Sequence, residues 1–161
     1  MQTQVMFYQL PEVTEPSEQS SKEADDNSET IERFSSAYQA CLQASYFYRQ
    51  GQKVYIYCDE QQSAETIDEL LWAFDSDSFV PHNLVGEGPK QGSAVEIGWQ
   101  APKGRKSVLI NLSSTVPNFA QQFNFVVDFV PSDAALKQLA RERFKTCRQW
   151  GFQVDTQTIA Q

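Results

Sequence analysis

The order of strand and helix patterns in the first half of the chain limits its possible folds more than any other feature. Two short β-prone runs occupy Val5–Tyr8 and Lys53–Cys58. Each is followed by a segment with apolar residues at spacings of three and four, over Thr30–Gln50 and Ser63–Phe74. Successive strand–helix units pack with right-handed crossovers, which set the strands side by side in parallel. The sequence therefore predicts a three-layer α/β fold, with a largely parallel sheet flanked by helices.

The second half continues the pattern less regularly. It contains three strand patterns, over Ala94–Trp99, Ser107–Asn111 and Phe123–Val130, and one long helix pattern over Ala134–Trp150. An irregular loop punctuated by Pro and Gly is predicted over Phe79–Gly92. Helix-capping residues are predicted from their types and positions: Ser63, Ser132 and Asp133 at N-termini, and Gly51 and Gly151 at C-termini.

Length and composition fit one domain, residues 1–161, with an unusual insertion. With 161 residues, 40% of them hydrophobic, the chain can bury a core without disulfides. Pro11–Thr30 differs from the rest, because it carries seven acids, one Lys and no aromatic residue. This segment is too polar to form a core and is predicted to be a flexible acidic loop.

The net charge and the cysteine pattern restrict the classes of binding partner and the cellular compartment that we expect. Lys and Arg number 13 against 21 Asp and Glu, a net charge of −8 that argues against general coating of nucleic acid. The three cysteines have no CxxC spacing, which favours reduced thiols, and one His with no HExxH makes a zinc site improbable. No signal peptide or long apolar stretch is present in the sequence. A soluble, cytoplasmic protein without a membrane partner is expected.

Two patterns invite an enzymatic interpretation. Gly86–Gly92 reads GxGxxxG, but it precedes a predicted strand, whereas a phosphate-binding loop precedes a helix. His82 is the only histidine, and no GxSxG motif accompanies it. A structural turn and a hydrogen-bonding anchor are therefore favoured at these positions. A small Rossmann-like nucleotide-binding enzyme that uses the Gly86–Gly92 loop stays open as the alternative.

The last predicted helix reverses the charge of the chain. Five of the 13 basic residues fall within Lys137–Arg148, with Glu142 as the single acid. At about 100° per residue, four cations share one side, while Arg143 points away. We call these four the α3 stripe, after the third predicted helix, α3 (Ala134–Trp150): Lys137, Arg141, Lys145 and Arg148. An apolar seam of Leu136, Ala140, Phe144 and Cys147 borders it.

Three interpretations of the stripe remain open on the residues alone. It could be an ordinary solvated face, a cleft for an acidic peptide with a hydrophobic end, or a direct site for single-stranded nucleic acid. A second unusual feature is the aromatic run of Leu71–Phe74 and Phe79–Pro81. These rings either cover the sheet edge or form a partner-binding patch.

Several longer motifs carry a resemblance to a known family. They are Ser78–Leu84 (SFVPHNL), Gly86–Pro89 (GEGP), Val95–Ile97 (VEI), Val126–Pro131 (VVDFVP) and Leu136–Lys145 (LKQLARERFK). In this order the chain resembles the chi subunit of bacterial DNA polymerase III holoenzyme, from Phe7 to Phe152. The acidic segment Pro11–Thr30 departs from the family, and no function carries over to it.

The resemblance implies a non-catalytic adaptor of DNA replication with a Rossmann-like fold and no working nucleotide site, cofactor or metal. One face is expected to bind the psi subunit of the clamp loader complex through Trp72, Phe79 and Pro81. The other is expected to bind the acidic, Phe-ended C-terminal tail of single-stranded DNA-binding protein, so that DNA is contacted only indirectly. The residues matched to that tail site are Val130, Lys137, Arg141, Phe144, Lys145 and Arg148. Phe144 stands where many relatives have Tyr, so a hydroxyl contact is not carried over.

Overall fold

A computed structural model describes residues 3–11, 35–74, 80–85, 93–102, 104 and 106–159. The strands, numbered along the chain, are β1 (Gln4–Gln9), β2 (Val54–Tyr57), β3 (His82–Leu84), β4 (Val95–Gly98), β5 (Val108–Asn111), β6 (Phe125–Val130) and β7 (Gln153–Thr158). The helices are α1 (Ser36–Arg49), α2 (Gln61–Phe74) and α3 (Ala134–Gln149), and a 3-10 helix spans Asn118–Gln122.

Within the described residues the strands form one seven-stranded sheet in the order β3-β4-β2-β5-β6-β1-β7. Every pairing between neighbours is parallel. Near the β7 edge, Gln9 of β1 is in register with Val130 of β6 on one side and with Thr158 of β7 on the other. The carboxyl ends of these three strands therefore lie together, and α3 connects β6 to β7 across them.

Two cores confirm the three-layer prediction. Alternate residues of β2 enter opposite cores, because Val54 and Ile56 pack with α1 and α2, whereas Tyr55 packs with Phe119 and the α3 residue Cys147. Each face of a parallel sheet must be covered, so the near-continuous apolar strands fit this arrangement. The helices thus lie on both faces of the sheet, as the strand–helix order predicts.

Most helix ends lie where the sequence places them. Gly51 and Gly151 follow α1 and α3 with φ of +78° and +82°, the left-handed conformation that glycine adopts at low cost. The Asp133 carboxylate accepts a hydrogen bond from the Leu136 N–H at 3.0 Å, which confirms it as the N-cap of α3. Ser132 is therefore not the cap.

The predicted starts of the first two helices differ from the structure. The described part of α1 starts after an N-cap at Ser35, whose hydroxyl accepts from the Tyr38 N–H at 3.1 Å. Residues 12–34, including most of the predicted acidic loop, lie outside the described residues. The prediction of Ser63 as an N-cap is wrong, because α2 begins at Gln61 and the Ala64 N–H already donates to the Glu60 carbonyl.

Two strands were absent from the prediction. β3 lies inside the predicted loop Phe79–Gly92 and is only three residues long, too short for a periodic signal. β7 reads QVDTQT and has one apolar side chain, Val154, so its alternation is invisible to a hydrophobicity pattern. Both are edge strands of the sheet, where less apolar surface needs to be covered.

The three cysteines are all buried and free, as expected for reduced thiols. Burial raises the pKa of the thiols of Cys41, Cys58 and Cys147 to about 12. The protonated form therefore persists at neutral pH, and the three side chains act as small core residues rather than as nucleophiles.

Candidate functional site

A buried ion pair fixes the position of α3 on the sheet. The Arg143 Nε lies 2.9 and 3.1 Å from the two carboxylate oxygens of Asp128, in the middle of β6. The other guanidinium nitrogens donate to the carbonyls of Phe129, at 3.1 Å, and Ser114, at 3.3 Å. Arg143 thus points away from the α3 stripe, as the helical projection predicts. Its contacts lock the helix against the strand that leads into it.

Asp128 is completely enclosed by this arrangement. It also accepts hydrogen bonds from the Phe129 N–H at 2.7 Å and from the Asn111 Nδ2 at 3.3 Å. Burial raises the pKa of the Asp128 carboxyl, while Arg143 and these hydrogen bonds oppose the rise. No feature of the sequence singled out this carboxylate.

On its opposite side, α3 forms one wall of a cavity of about 370 Å³. The cavity combines apolar residues with two cations at its rim, and we call it the Phe144 cavity. Its lining consists of Phe7, Gln9, Leu10, Val130, Lys137, Ala140, Arg141, Phe144 and Thr156. Four of the six residues assigned to the tail site by the resemblance are therefore brought together: Val130, Lys137, Arg141 and Phe144.

Ring contacts fix the wall of the cavity. The Phe144 ring centroid lies 5.3 Å from that of Phe7, which is fully buried in β1. The Arg148 guanidinium carbon lies 5.9 Å from the Phe144 centroid, a cation–π distance. Arg148 and Lys145 do not belong to the lining. Arg148 therefore contacts the cavity wall through Phe144, and Lys145 is an exposed charge outside the lining.

The remaining lining residues were not predicted as part of a site. The sequence indicated Phe7 and Leu10 only as apolar residues in or next to the first predicted strand. Gln9 and Thr156 gave no signal, because polar residues on an exposed strand are common and β7 itself was not predicted. Their proximity depends on the parallel register of β1 with β6 and β7, which joins residues more than 100 positions apart.

The second expected face lies around the end of α2. The Trp72 side chain is 63% exposed, and its ring centroid lies 4.8 Å from that of His82 in β3. The His82 Nδ1 lies 2.7 Å from the Val80 carbonyl oxygen, so the predicted role as an anchor is confirmed, within a strand rather than a loop. Pro81 is half-buried beside it. Phe79 lies outside the described residues. Trp72 and Pro81 form what we call the Trp72 patch.

Comparison with known proteins decides the family. The model of the family described as DNA polymerase III chi subunit, HolC, matches residues 2–155 of the chain. The chain belongs to this family. It is 45% identical to the DNA polymerase III subunit chi of Escherichia coli K12 over 136 residues, which cover 83% of this chain and 92% of that relative. The resemblance noted in the sequence is therefore confirmed.

Two further relatives are also chi subunits of DNA polymerase III. DNA polymerase III subunit chi of Haemophilus influenzae is 42% identical over 74% of this chain and 85% of its own length. That of Pseudomonas aeruginosa is 33% identical over 70% of this chain and 79% of its own length. As a chi-family chain, the molecule is an accessory protein of DNA replication.

A likeness in fold alone links the chain to a larger protein. The crystal structure of T4 UvsW superposes with a TM-score of 0.56 at 10% sequence identity, over 98% of this chain and 41% of that one. The chain thus spans about two fifths of the length of the UvsW chain. This comparison supports the α/β architecture and nothing about activity.

The described turns between strands and helices do not favour the binding of a phosphate group. The Asp133 carboxylate occupies the N-terminus of α3, where a phosphate would meet backbone N–H groups, and the acidic residues Asp59 and Glu60 directly precede α2. Asp59 accepts the Ser114 N–H at 3.1 Å. The Gly86–Gly92 loop lies outside the described residues, so its interpretation as a structural turn stays a prediction.

The described residues contain neither a metal-binding cluster nor a membrane-spanning helix. Among them, no group of three or more His, Cys, Asp or Glu side chains could hold a metal ion. In the same residues, no helix is long and apolar enough to cross a bilayer.

Proposed function

We propose that this chain is a non-catalytic adaptor that links the clamp loader, through the psi subunit, to the C-terminal tail of single-stranded DNA-binding protein. The observation that carries the proposal is the Phe144 cavity, in which an arginine fork and a lysine border an apolar recess on an otherwise acidic protein. Such a combination suits a peptide that ends in an aromatic residue and a free carboxylate. A cytoplasmic location follows from this role.

Each part of the cavity has a task in tail binding. The planar Arg141 guanidinium can take the terminal carboxylate with two parallel hydrogen bonds. The apolar lining of Phe7, Val130 and Phe144 receives the last ring, whose burial supplies most of the affinity. Lys137, half-buried at the rim, attracts the acids that precede the ring. Exposed ion pairs contribute only about 0.2–1 kcal/mol each, so they tune the rate and the salt sensitivity.

The Trp72 patch supports the psi half of the proposal. A tryptophan that leaves 63% of its surface in solvent has an unburied apolar area that a partner can cover. Its ring packs against the ring of His82. The patch lies near the β3 edge of the sheet and the Phe144 cavity near the β7 edge, so both partners fit at once.

Two features support a role without catalysis. The buried thiols are protonated at neutral pH, and His82, the one histidine, is held within the α2–β3 contact. The acidic strand–helix turns argue against the alternative of a nucleotide-binding enzyme. Titration with ATP and NAD checks this alternative, since a saturable signal from either would favour it.

Calorimetry with two versions of an acidic, Phe-ended peptide tests the tail site. The wild-type protein should bind the free acid and lose at least about tenfold in affinity for the C-terminal amide, because the fork then has no carboxylate to take. Arg141→Ala should weaken binding of the free acid to a similar extent and barely respond to amidation. Lys53→Ala is the matched control, because it removes an exposed cation at the amino end of β2, a strand that does not line the cavity. Equal losses on amidation in both proteins would show that the carboxylate binds elsewhere.

A further inference from the structure

The last strand of the sheet, β7, has an open edge. Within the described residues β7 pairs only with β1, and five of its six residues are exposed. The other outer strand, β3, is buried at all three of its residues. The two outer strands therefore differ, and of the two, as far as the described residues go, only β7 presents a long accessible edge.

The pairing with β1 shows which backbone groups face outward. The Gln153 N–H donates to the Thr3 carbonyl at 3.0 Å, and the Ile159 N–H donates to the Gln9 carbonyl at 2.9 Å. Because hydrogen bonding alternates along a strand, the odd-numbered residues between them also face β1. The N–H and C=O groups of Val154, Thr156 and Thr158 consequently point away from the sheet.

In the part of the chain that the structure describes, this edge lacks the usual protections against pairing. Natural edge strands are guarded by proline, lysine, a bulge or a covering element. β7 contains none of these residues, runs in continuous register with β1 from Gln153 to Thr158, and carries the single charge of Asp155. Three outward-facing residues therefore offer a template for an added strand.

We propose that the free edge of β7 binds, as an eighth strand, the stretch of the tail peptide immediately upstream of the residues held in the Phe144 cavity. This inference rests on the proposed function. Thr156 connects the two sites, because it lines the cavity and also presents its N–H on the open edge. An added strand lies about 4.8 Å beyond β7, within reach of a chain that leaves the cavity.

The charge of the neighbouring surface favours a peptide as the occupant. Two cations of the α3 stripe, Lys137 and Arg141, line the same cavity as Thr156 of β7, and an acidic extended peptide complements their charge. A second copy of this chain fits less well, because it would bring net charges of −8 together. A six-residue strand with one half-buried apolar side chain also offers far less than the roughly 1,200 Å² that stable interfaces bury.

Backbone hydrogen bonding is tested with peptides of two lengths. The short peptide spans only the cavity, and the long one adds an upstream stretch equal in length to β7. The long peptide should bind at least about fivefold more tightly, because several backbone hydrogen bonds are added. In an added strand, the N–H groups of every second residue face β7 and those between them face solvent. N-methylation of the residues that face β7 should remove the gain in affinity, while N-methylation of the residues between them should preserve it.

Variants of Thr158 test the same edge from the protein side. Proline is tolerated where a strand N–H faces solvent, so Thr158→Pro deletes one outward donor without breaking the pairing with β1. Thr158→Ala is the matched control, since both changes remove the side-chain contact from Thr158 Oγ1 to Gln9 Oε1. The proline should reduce the gain of the long peptide, the alanine should not, and binding of the short peptide should be unchanged in both.

The outcomes separate this inference from the proposed function. In one outcome the short peptide binds while the long peptide shows no additional affinity, and in another both sets of N-methylated peptides lose affinity equally. Either result would show that the edge is not a binding site, and the proposed role of the cavity would be unaffected. If neither peptide binds, the proposed function fails and the edge inference with it. A concentration-dependent dimer in sedimentation that Thr158→Pro dissociates would assign the edge to a second copy and overturn the proposal.

Discussion

The Asp128–Arg143 pair is the residue-scale feature that holds the helix of the proposed tail site in place. Arg143→Ala leaves Asp128 buried without its cation and should lower the free energy of unfolding by about 3–5 kcal/mol, measured by urea denaturation. The double variant Asp128→Asn with Arg143→Met removes both charges, keeps an amide oxygen that can accept from the Phe129 N–H, and should recover part of that loss. A double variant no more stable than Arg143→Ala would contradict the assignment.

At the same scale, the sequence predicted the direction in which the α3 side chains point better than it predicted the residues that they contact. The helical projection placed Arg143 away from the stripe because that step needs only the helix period. It gave no reason to pair Arg143 with Asp128, since the pair depends on how β6 and α3 pack. Phe7 and Thr156 were missed as lining residues for the same reason: contacts between distant parts of the chain follow from sheet order, which local patterns leave open.

Elements with strong apolar periodicity were predicted, and those without it were not. β1, β2 and the three described helices follow from their patterns, whereas β3 and β7 do not. The missing β7 matters most for the site, because it supplies Thr156 to the Phe144 cavity and forms the open edge. Without it, the α3 stripe could be identified from the sequence but not the recess beside it.

The two lysines of α3 should contribute unequally to tail binding, because they lie at different positions relative to the cavity. Lys137 lines the cavity and Lys145 does not, so Lys137→Ala should weaken tail binding more than Lys145→Ala, and both less than Arg141→Ala. Each lysine change should also flatten the dependence of affinity on salt, because one long-range attraction is lost. Titrations of the three variants at low and high salt measure both effects. Equal losses for the two lysines would argue that the cavity does not hold the acidic part of the peptide.

A corresponding prediction concerns Trp72 of α2 and binding of the psi subunit. Trp72→Ala should abolish co-purification of psi, since truncation of a central interface tryptophan typically costs about 2 kcal/mol or more. Tail binding should be unchanged, because Trp72 lies near the opposite edge of the sheet. Trp150→Ala removes another exposed tryptophan, 42% accessible, and should leave psi bound. Retained psi in the Trp72 variant, or loss in both, would refute the two-face assignment.

At the scale of the whole molecule, a basic stripe must attract an acidic peptide against a net charge of −8. Five of the 13 cations are concentrated on α3, while seven of the 21 acids fall in Pro11–Thr30. That segment begins directly after Leu10, a residue of the cavity lining. We therefore expect the negative charge of this segment to oppose the approach of an acidic ligand to the proposed tail site.

Deletion of Glu15–Asn27 tests this balance, because it removes five acids and one Lys while leaving every described residue in place. At low salt the deletion should tighten binding of the acidic peptide, through a faster association rate, since the repulsion between like charges is reduced. The difference should shrink as salt rises, because charges more than about 8–10 Å apart are screened near 0.1 M. A second protein keeps the full length but has the same five acids changed to Gln or Asn. It should reproduce the gain if charge alone is responsible. An unchanged dissociation constant at low salt in both proteins would show that the segment is a solvated linker without influence on the tail site.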